Sequence, residues 1–129
     1  MSQFPYAFNE DTILQNTFRQ LVEQHKPEVL VETGTYFGDT TQFMSSFGVP
    51  VITIEFIKEN YEIALKKLGS CQNVTLLLGD ATTQLESNFE MIQNKKIIAF
   101  LDSHGQHDHA CERELELLAK LNKPPVIII

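Results

Sequence analysis

The sequence predicts an α/β chain: a doubly wound parallel sheet of five strands with helices on both faces. Three observations carry this. Five runs rich in branched apolar residues, at 29–33, 51–55, 74–78, 97–102 and 126–129, start 22, 23, 23 and 29 residues apart. The runs are largely apolar on both faces, as strands covered on both sides must be. The segments between them carry the 3.6-residue period of helices. The order is therefore αβαβαβαβαβ, and right-handed crossovers lay such strands parallel.

Each connecting element has its own signal. Before the first strand, Ile13, Leu14, Phe18, Leu21 and Val22 follow the helical period, and Pro27 lies just past the expected stop. A helix over 39–47 groups Phe43, Met44 and Phe47 and stops at Gly48. A helix over 58–68 groups Tyr61, Leu65 and Leu68, adds the Glu62–Lys66 pair, and stops at Gly69. The stretch 81–92 is less regular. Asp108 is placed to cap a helix running to Leu121, with acidic residues early and Lys120 late, as the macrodipole prefers. The opening Phe4-Pro5-Tyr6-Ala7-Phe8 reads as core or helix-packing material, with a lid over the cleft mouth as the alternative.

The chain has 129 residues, 43% hydrophobic and 21% charged, which is one globular domain with enough apolar surface for a core. Residues 1–27 form an N-terminal helical segment and 28–129 the α/β core of this single domain. Ten basic against seventeen acidic residues leave a net charge of −7. That balance argues against nucleic acid as a partner, since phosphate binding rests on Lys and Arg, and against an anionic membrane surface. Apolar runs are about five residues long, whereas a bilayer span needs about 20. The first fifteen residues include Glu10 and Asp11 and have neither a basic start nor an apolar stretch, so no export signal is expected. Cys71 and Cys111 form no CxxC pair. The expected location is the cytoplasm, with both thiols reduced and Cys111 packed as a small hydrophobe.

In doubly wound sheets ligands sit beyond the carboxyl ends of the strands, so the residues after each strand carry the functional signal. The first strand runs into Glu32-Thr33-Gly34-Thr35-Tyr36-Phe37-Gly38-Asp39-Thr40-Thr41. Gly34 and Gly38 permit a tight turn and close approach of a ligand to backbone. On that reading a side chain at Gly34 would obstruct binding more than folding. The loop lacks the GK[ST] end of a P-loop and the middle glycine of GxGxxG. Glu55 ends the second strand, 21 residues after Gly34, where a carboxylate can take two ribose hydroxyls. Phe56 follows it and either lies on an adenine face or packs. The third strand ends in Gly79-Asp80-Ala81, where Asp80 either caps a helix or accepts from an exocyclic amine. The fourth ends in Asp102-Ser103-His104.

Taken in order, Glu32-x-Gly34-x-x-x-Gly38, Ile54-Glu55, Gly79-Asp80-Ala81 and Asp102 resemble the class I S-adenosylmethionine-dependent methyltransferases, over Val29 to Ile129. The resemblance implies a Rossmann-like sheet of strand order 3-2-1-4-5. It implies that Glu32, Gly34 and Gly38 hold the methionine part of S-adenosylmethionine. Glu55 would meet the ribose, Asp80 the adenine amine, and Ala81 would lie beside the ring. Asp102 would stand where substrate or metal is met. The VETGTYFGDTT string is similar to small-molecule O-methyltransferases, some of which use a divalent metal. The family's usual helix and antiparallel hairpin after the fifth strand have no counterpart in these 129 residues.

Three of the four histidines fall in the six residues from His104 to His109. His104 is the candidate general base, because imidazole titrates near neutrality, and Asp102 is placed to orient it or to share a divalent ion. His107 and His109 are candidate metal ligands from a loop, or a solvated polar loop.

These readings predict methyl transfer from S-adenosylmethionine to the hydroxyl of a small-molecule acceptor, with His104 and Asp102 catalytic. The alternatives are a non-catalytic S-adenosylmethionine-binding module, an NAD-dependent oxidoreductase, and a metal-binding protein centred on the histidines. An apolar fifth strand at the sheet edge further predicts a homodimer.

Overall fold

The structure is a computed structural model and describes residues 3–103 and 110–129. Five parallel strands, β1 (Val29–Thr33), β2 (Val51–Glu55), β3 (Val74–Leu78), β4 (Ile97–Leu101) and β5 (Val126–Ile128), form one sheet in the order β3-β2-β1-β4-β5. The strand order is the one the resemblance implies, and the strands lie where the sequence predicts, to within a residue at two carboxyl ends. The strand order reverses beside β1. The crevice that such a reversal opens lies at the carboxyl ends of β1, β2 and β4.

One α-helix precedes the first strand and four connect the strands: α1 (Thr12–His25), then α2 (Asp39–Ser45), α3 (Lys58–Leu68), α4 (Ala81–Ser87) and α5 (Ala110–Leu118). The α2 helix stops two residues earlier than the hydrophobic pattern suggests. The irregular stretch 81–92 resolves into α4 and a short 3-10 turn, Phe89–Met91. The expected cap Asp108 lies outside the described residues. Among the described residues no helix is long and apolar enough to cross a membrane.

Both faces of the sheet are covered, which is why the central strands are largely apolar. On one face Val29, Val31, Ile52, Ile54, Ile97 and Ala99 pack with Ala81 and Leu85 of α4 and Leu118 of α5; Cys111 packs against this cluster. On the other, Leu30, Val51 and Ile98 pack with Phe18 of α1 and Phe43 and Met44 of α2. The alternation along β1 sends Leu30 to the second face and its neighbours to the first.

The chain start belongs to the second face. Phe8 is buried, with its ring 4.9 Å from Phe100 and 5.6 Å from Phe18. Phe4 meets Phe43 at 5.7 Å. Two helical readings are corrected here. Ile13 is 78% exposed, while Gln15 is buried and donates to the carbonyls of Phe4 and Ala7. Leu65 is half exposed, and Ala64 and Leu68 face inward instead. A helical period identifies a stripe, but the neighbour that covers it decides which residues of the stripe are buried.

Candidate functional site

An open cleft of about 1100 Å³ lies at the carboxyl edge of the sheet. Its floor is built where the β1, β2 and β4 ends meet. Glu32, Gly34, Glu55, Phe56 and Asp102 all line it.

Glu32 is buried at the end of β1. Its Oε1 accepts hydrogen bonds from the hydroxyls of Thr41 in α2 and, at 2.8 Å, Thr53 in β2. The Thr53 hydroxyl also pairs with that of Thr35 at 2.6 Å. Loss of solvent pushes the Glu32 carboxyl up to about 8, and the nearby carboxylates of Asp102 and Glu55 add to the effect against the opposing threonine bonds. This is a group poised to gain a positive partner.

Glu55 joins the loops after β1 and β2. Its Oε1 accepts from the Tyr36 N–H at 2.6 Å and its Oε2 from the Ile57 N–H at 2.9 Å. A carboxylate has about four lone-pair positions, so two remain after these bonds. To present its N–H, Tyr36 adopts a left-handed φ of 55°, and its ring stacks on Phe37 at 4.0 Å. Phe56 is half exposed beside it.

Gly34 has a φ of +83°, and a Cβ there would stand 2.0 Å from the Asp102 carbonyl oxygen. The expectation that a side chain at Gly34 would obstruct ligand more than fold is therefore corrected. The space belongs to the β4 backbone, which Asp102 ties to Thr33 through its N–H at 2.9 Å.

Three sequence-predicted residues are not among the cleft's lining. Gly38 is the residue just before α2, and a Cβ on it would meet Leu68 of α3 at 3.2 Å, which is helix packing. Asp80 caps α4, with Oδ2 accepting from the Thr83 N–H at 2.9 Å. Ala81 is fully buried in the core, so its side chain is not open to an adenine ring. His104, His107 and His109 lie outside the described residues. Among the described residues no group of three or more His, Cys, Asp or Glu side chains is arranged to hold a metal ion.

Asn9, Glu10 and Ser103 line the cleft and were missed by sequence reading. The turn Ala7–Glu10 brings Phe8, Asn9 and Glu10 to the cleft in left-handed conformations, pinned by the Phe8 N–H to Thr40 Oγ1 at 2.8 Å. The chain start is thus both core and cleft wall. Ser103 lines the cleft, and its hydroxyl donates to Glu114 of α5 at 2.8 Å. Thr53 had a readable signal: a hydroxyl inside a strand buried on both faces must find a partner.

The lining contains six carboxylates, Glu10, Asp11, Glu32, Asp39, Glu55 and Asp102, and among the described residues no basic side chain. Asp39 is neutralised by Lys67 at 2.6 Å and Asp11 caps α1. The remaining field favours a cation and opposes a pyrophosphate.

No family model and no curated protein matches the sequence. Solved structures do. A protein from Klebsiella pneumoniae, named only provisionally as an O-methyltransferase, superposes with a TM-score of 0.71 at 24% identity, over 87% of this chain and 51% of its own. An O-methyltransferase from Bacillus cereus, solved with S-adenosylhomocysteine, gives 0.66 at 22% identity, over 86% and 52%. TomG, an O-methyltransferase from Streptomyces achromogenes solved with S-adenosylmethionine, gives 0.66 at 16% identity, over 89% and 54%. The fold is shared with these O-methyltransferase structures. The chain spans about half the length of these methyltransferase structures. In this chain the strand-order reversal and the acidic cleft fall at the same sheet edge.

Proposed function

We propose that the chain binds S-adenosylmethionine in this cleft and directs its methyl group to the hydroxyl of a small-molecule acceptor. The observation that carries the reading is the cleft itself. It opens beside the strand-order reversal of a methyltransferase fold, and its lining carries six carboxylates and, among the described residues, no basic side chain. A sulfonium and an ammonium suit that wall, whereas the pyrophosphate of a nicotinamide dinucleotide does not. Glu32 suits the ammonium, since a cation beside it favours the ionised form that burial disfavours. Glu55, already aligned by two backbone N–H groups, offers its remaining lone pairs to ribose hydroxyls. Phe56 supplies an exposed ring beside that position. When bound, the sulfonium supplies an electrophilic methyl carbon. The protein's part is to align the acceptor oxygen and take its proton.

Calorimetric titration with S-adenosylhomocysteine tests the reading, with NAD titrated in parallel. Binding of the first and not the second is expected. Glu55→Ala should lose about 1–3 kcal/mol of that binding, the scale of charge-assisted hydrogen bonds, with the fold kept. Unchanged affinity would remove Glu55 from the ribose.

A binding module without transfer is the other outcome to be tested. Methyl transfer to a panel of phenols, sugars and hydroxy acids, run with and without EDTA, separates it from an enzyme. The EDTA arm tests a divalent ion held by Asp102 with His104, His107 and His109. The same proposal keeps the chain cytoplasmic and self-associating through the apolar edge of β5. Light scattering across concentrations should give a dimer mass, and a concentration-independent monomer would end that part of it.

A further inference from the structure

The Ser103–Glu114 pair is used by nothing described so far. Glu114 sits in the middle of α5, so it caps neither end, and it is 0% exposed. A carboxylate buried there is costly to the fold. An apolar side chain of similar size would fill the same volume without that cost. A buried acid with a partner at a cleft is a candidate for chemistry. Here the partner is Ser103, two residues beyond β4, which lines the cleft and gives its hydroxyl proton to Glu114 Oε2 at 2.8 Å. A hydroxyl has one proton and two lone pairs. With that proton committed to Glu114, Ser103 Oγ has only lone pairs to offer the cleft. It therefore suits a donor, such as the hydroxyl of an acceptor.

Resting on the methyltransferase reading, we infer that Ser103 and Glu114 form a proton relay for the acceptor. As the acceptor oxygen bonds to the methyl carbon, the methyl–sulfur bond breaks and its electron pair stays on sulfur. The acceptor's hydroxyl proton passes to Ser103 Oγ, and the proton already on Ser103 passes to Glu114 Oε2. The charge on the carboxylate and the charge on the sulfonium disappear together. The proton later leaves Glu114 through Ser103 to water in the cleft. The relay places the proton's destination on α5, in contrast to the sequence-based expectation of His104.

The test uses the full chain, S-adenosylmethionine and four probes: catechol, phenol, a methyl hexoside and lactate. Ser103→Ala and Glu114→Gln should each lower kcat about a hundredfold or more, the scale of a lost proton-transfer partner. KM and S-adenosylhomocysteine affinity should hold. The double variant should be no slower than either single one, because both act in one relay. Ser103→Thr, which keeps the hydroxyl, should recover most of the rate. Independently of turnover, Ser103→Ala should move the isotope-labelled carboxyl resonance of Glu114. Full kcat in a folded Glu114→Gln, with the rate lost in His104→Ala, overturns the relay. If Glu114→Gln does not fold, full kcat in Ser103→Ala overturns it. An unmoved Glu114 resonance overturns the contact itself. A wild type that binds S-adenosylhomocysteine but methylates no probe overturns the relay and spares the cofactor site. A wild type that does not bind it overturns the methyltransferase reading as well.

Discussion

Gly34→Ala is expected to destabilise the chain by about 3–5 kcal/mol, or to prevent folding, because a left-handed position and a backbone collision are combined there. The added Cβ would fall 2.0 Å from the Asp102 carbonyl oxygen and 2.6 Å from its carbon. Both are main-chain atoms, so no side chain can swing aside. Relief requires the end of β1 to part from the end of β4, and the cleft floor is made of that junction. Gly48→Ala is the internal control. It has a similar φ of +79° but nothing within 4 Å of the added carbon. It should cost only about 1 kcal/mol, the conformational penalty alone. Urea unfolding of the two variants checks the contrast. Equal losses would mean that the Asp102 backbone yields easily, and the ligand-clash account of Gly34 would regain its place.

Glu32→Gln should reshape both the pH dependence of stability and the affinity for a cationic ligand. With its carboxyl held at about 8 by burial, native Glu32 keeps a proton that the unfolded chain releases near 4.5. The stability linked to this group is therefore full below about pH 4.5 and declines as pH rises through about 8. Glutamine cannot ionise, so that decline should vanish. Relative to wild type, the variant should gain about 3–5 kcal/mol between pH 5 and pH 9. Calorimetric melting across that range checks the sign, and a parallel wild-type and variant profile would refute it. The opposite effect is expected on binding. An ammonium partner favours the ionised carboxylate, so Glu32→Gln should weaken S-adenosylhomocysteine by about tenfold or more. Wild-type binding near neutral pH should release a proton, measurable as a dependence of the binding heat on the buffer's ionisation heat.

The site was partly legible before the fold was known. Strand ends could be found from apolar runs, and a doubly wound sheet puts strand ends at the cleft. That is how Glu32, Gly34, Glu55, Phe56 and Asp102, all of which line it, came to be read as candidates. Asp80 and Ala81 follow a strand end by the same rule but belong to β3, at the outer edge of the sheet. There the helix start takes the Asp80 carboxylate as its cap and the core takes Ala81. The rule locates the edge of a sheet, and a strand's distance from the order reversal decides whether its end reaches the cleft.

What the sequence by itself determined is the periodic part: five strands, their connecting helices and the acidic residues at the strand ends. Hydrophobic period and turn chemistry are local, and they repeat along the chain whatever packs on them. Only the tertiary structure decided the pairings across the chain. Thr41 and Thr53 meet Glu32 from 9 and 21 residues away, and Phe8 joins Thr40 across 32. Glu114 reaches Ser103 because α5 folds back over the end of β4. A buried polar group must have a partner, but which partner it has depends on how the layers are laid against one another.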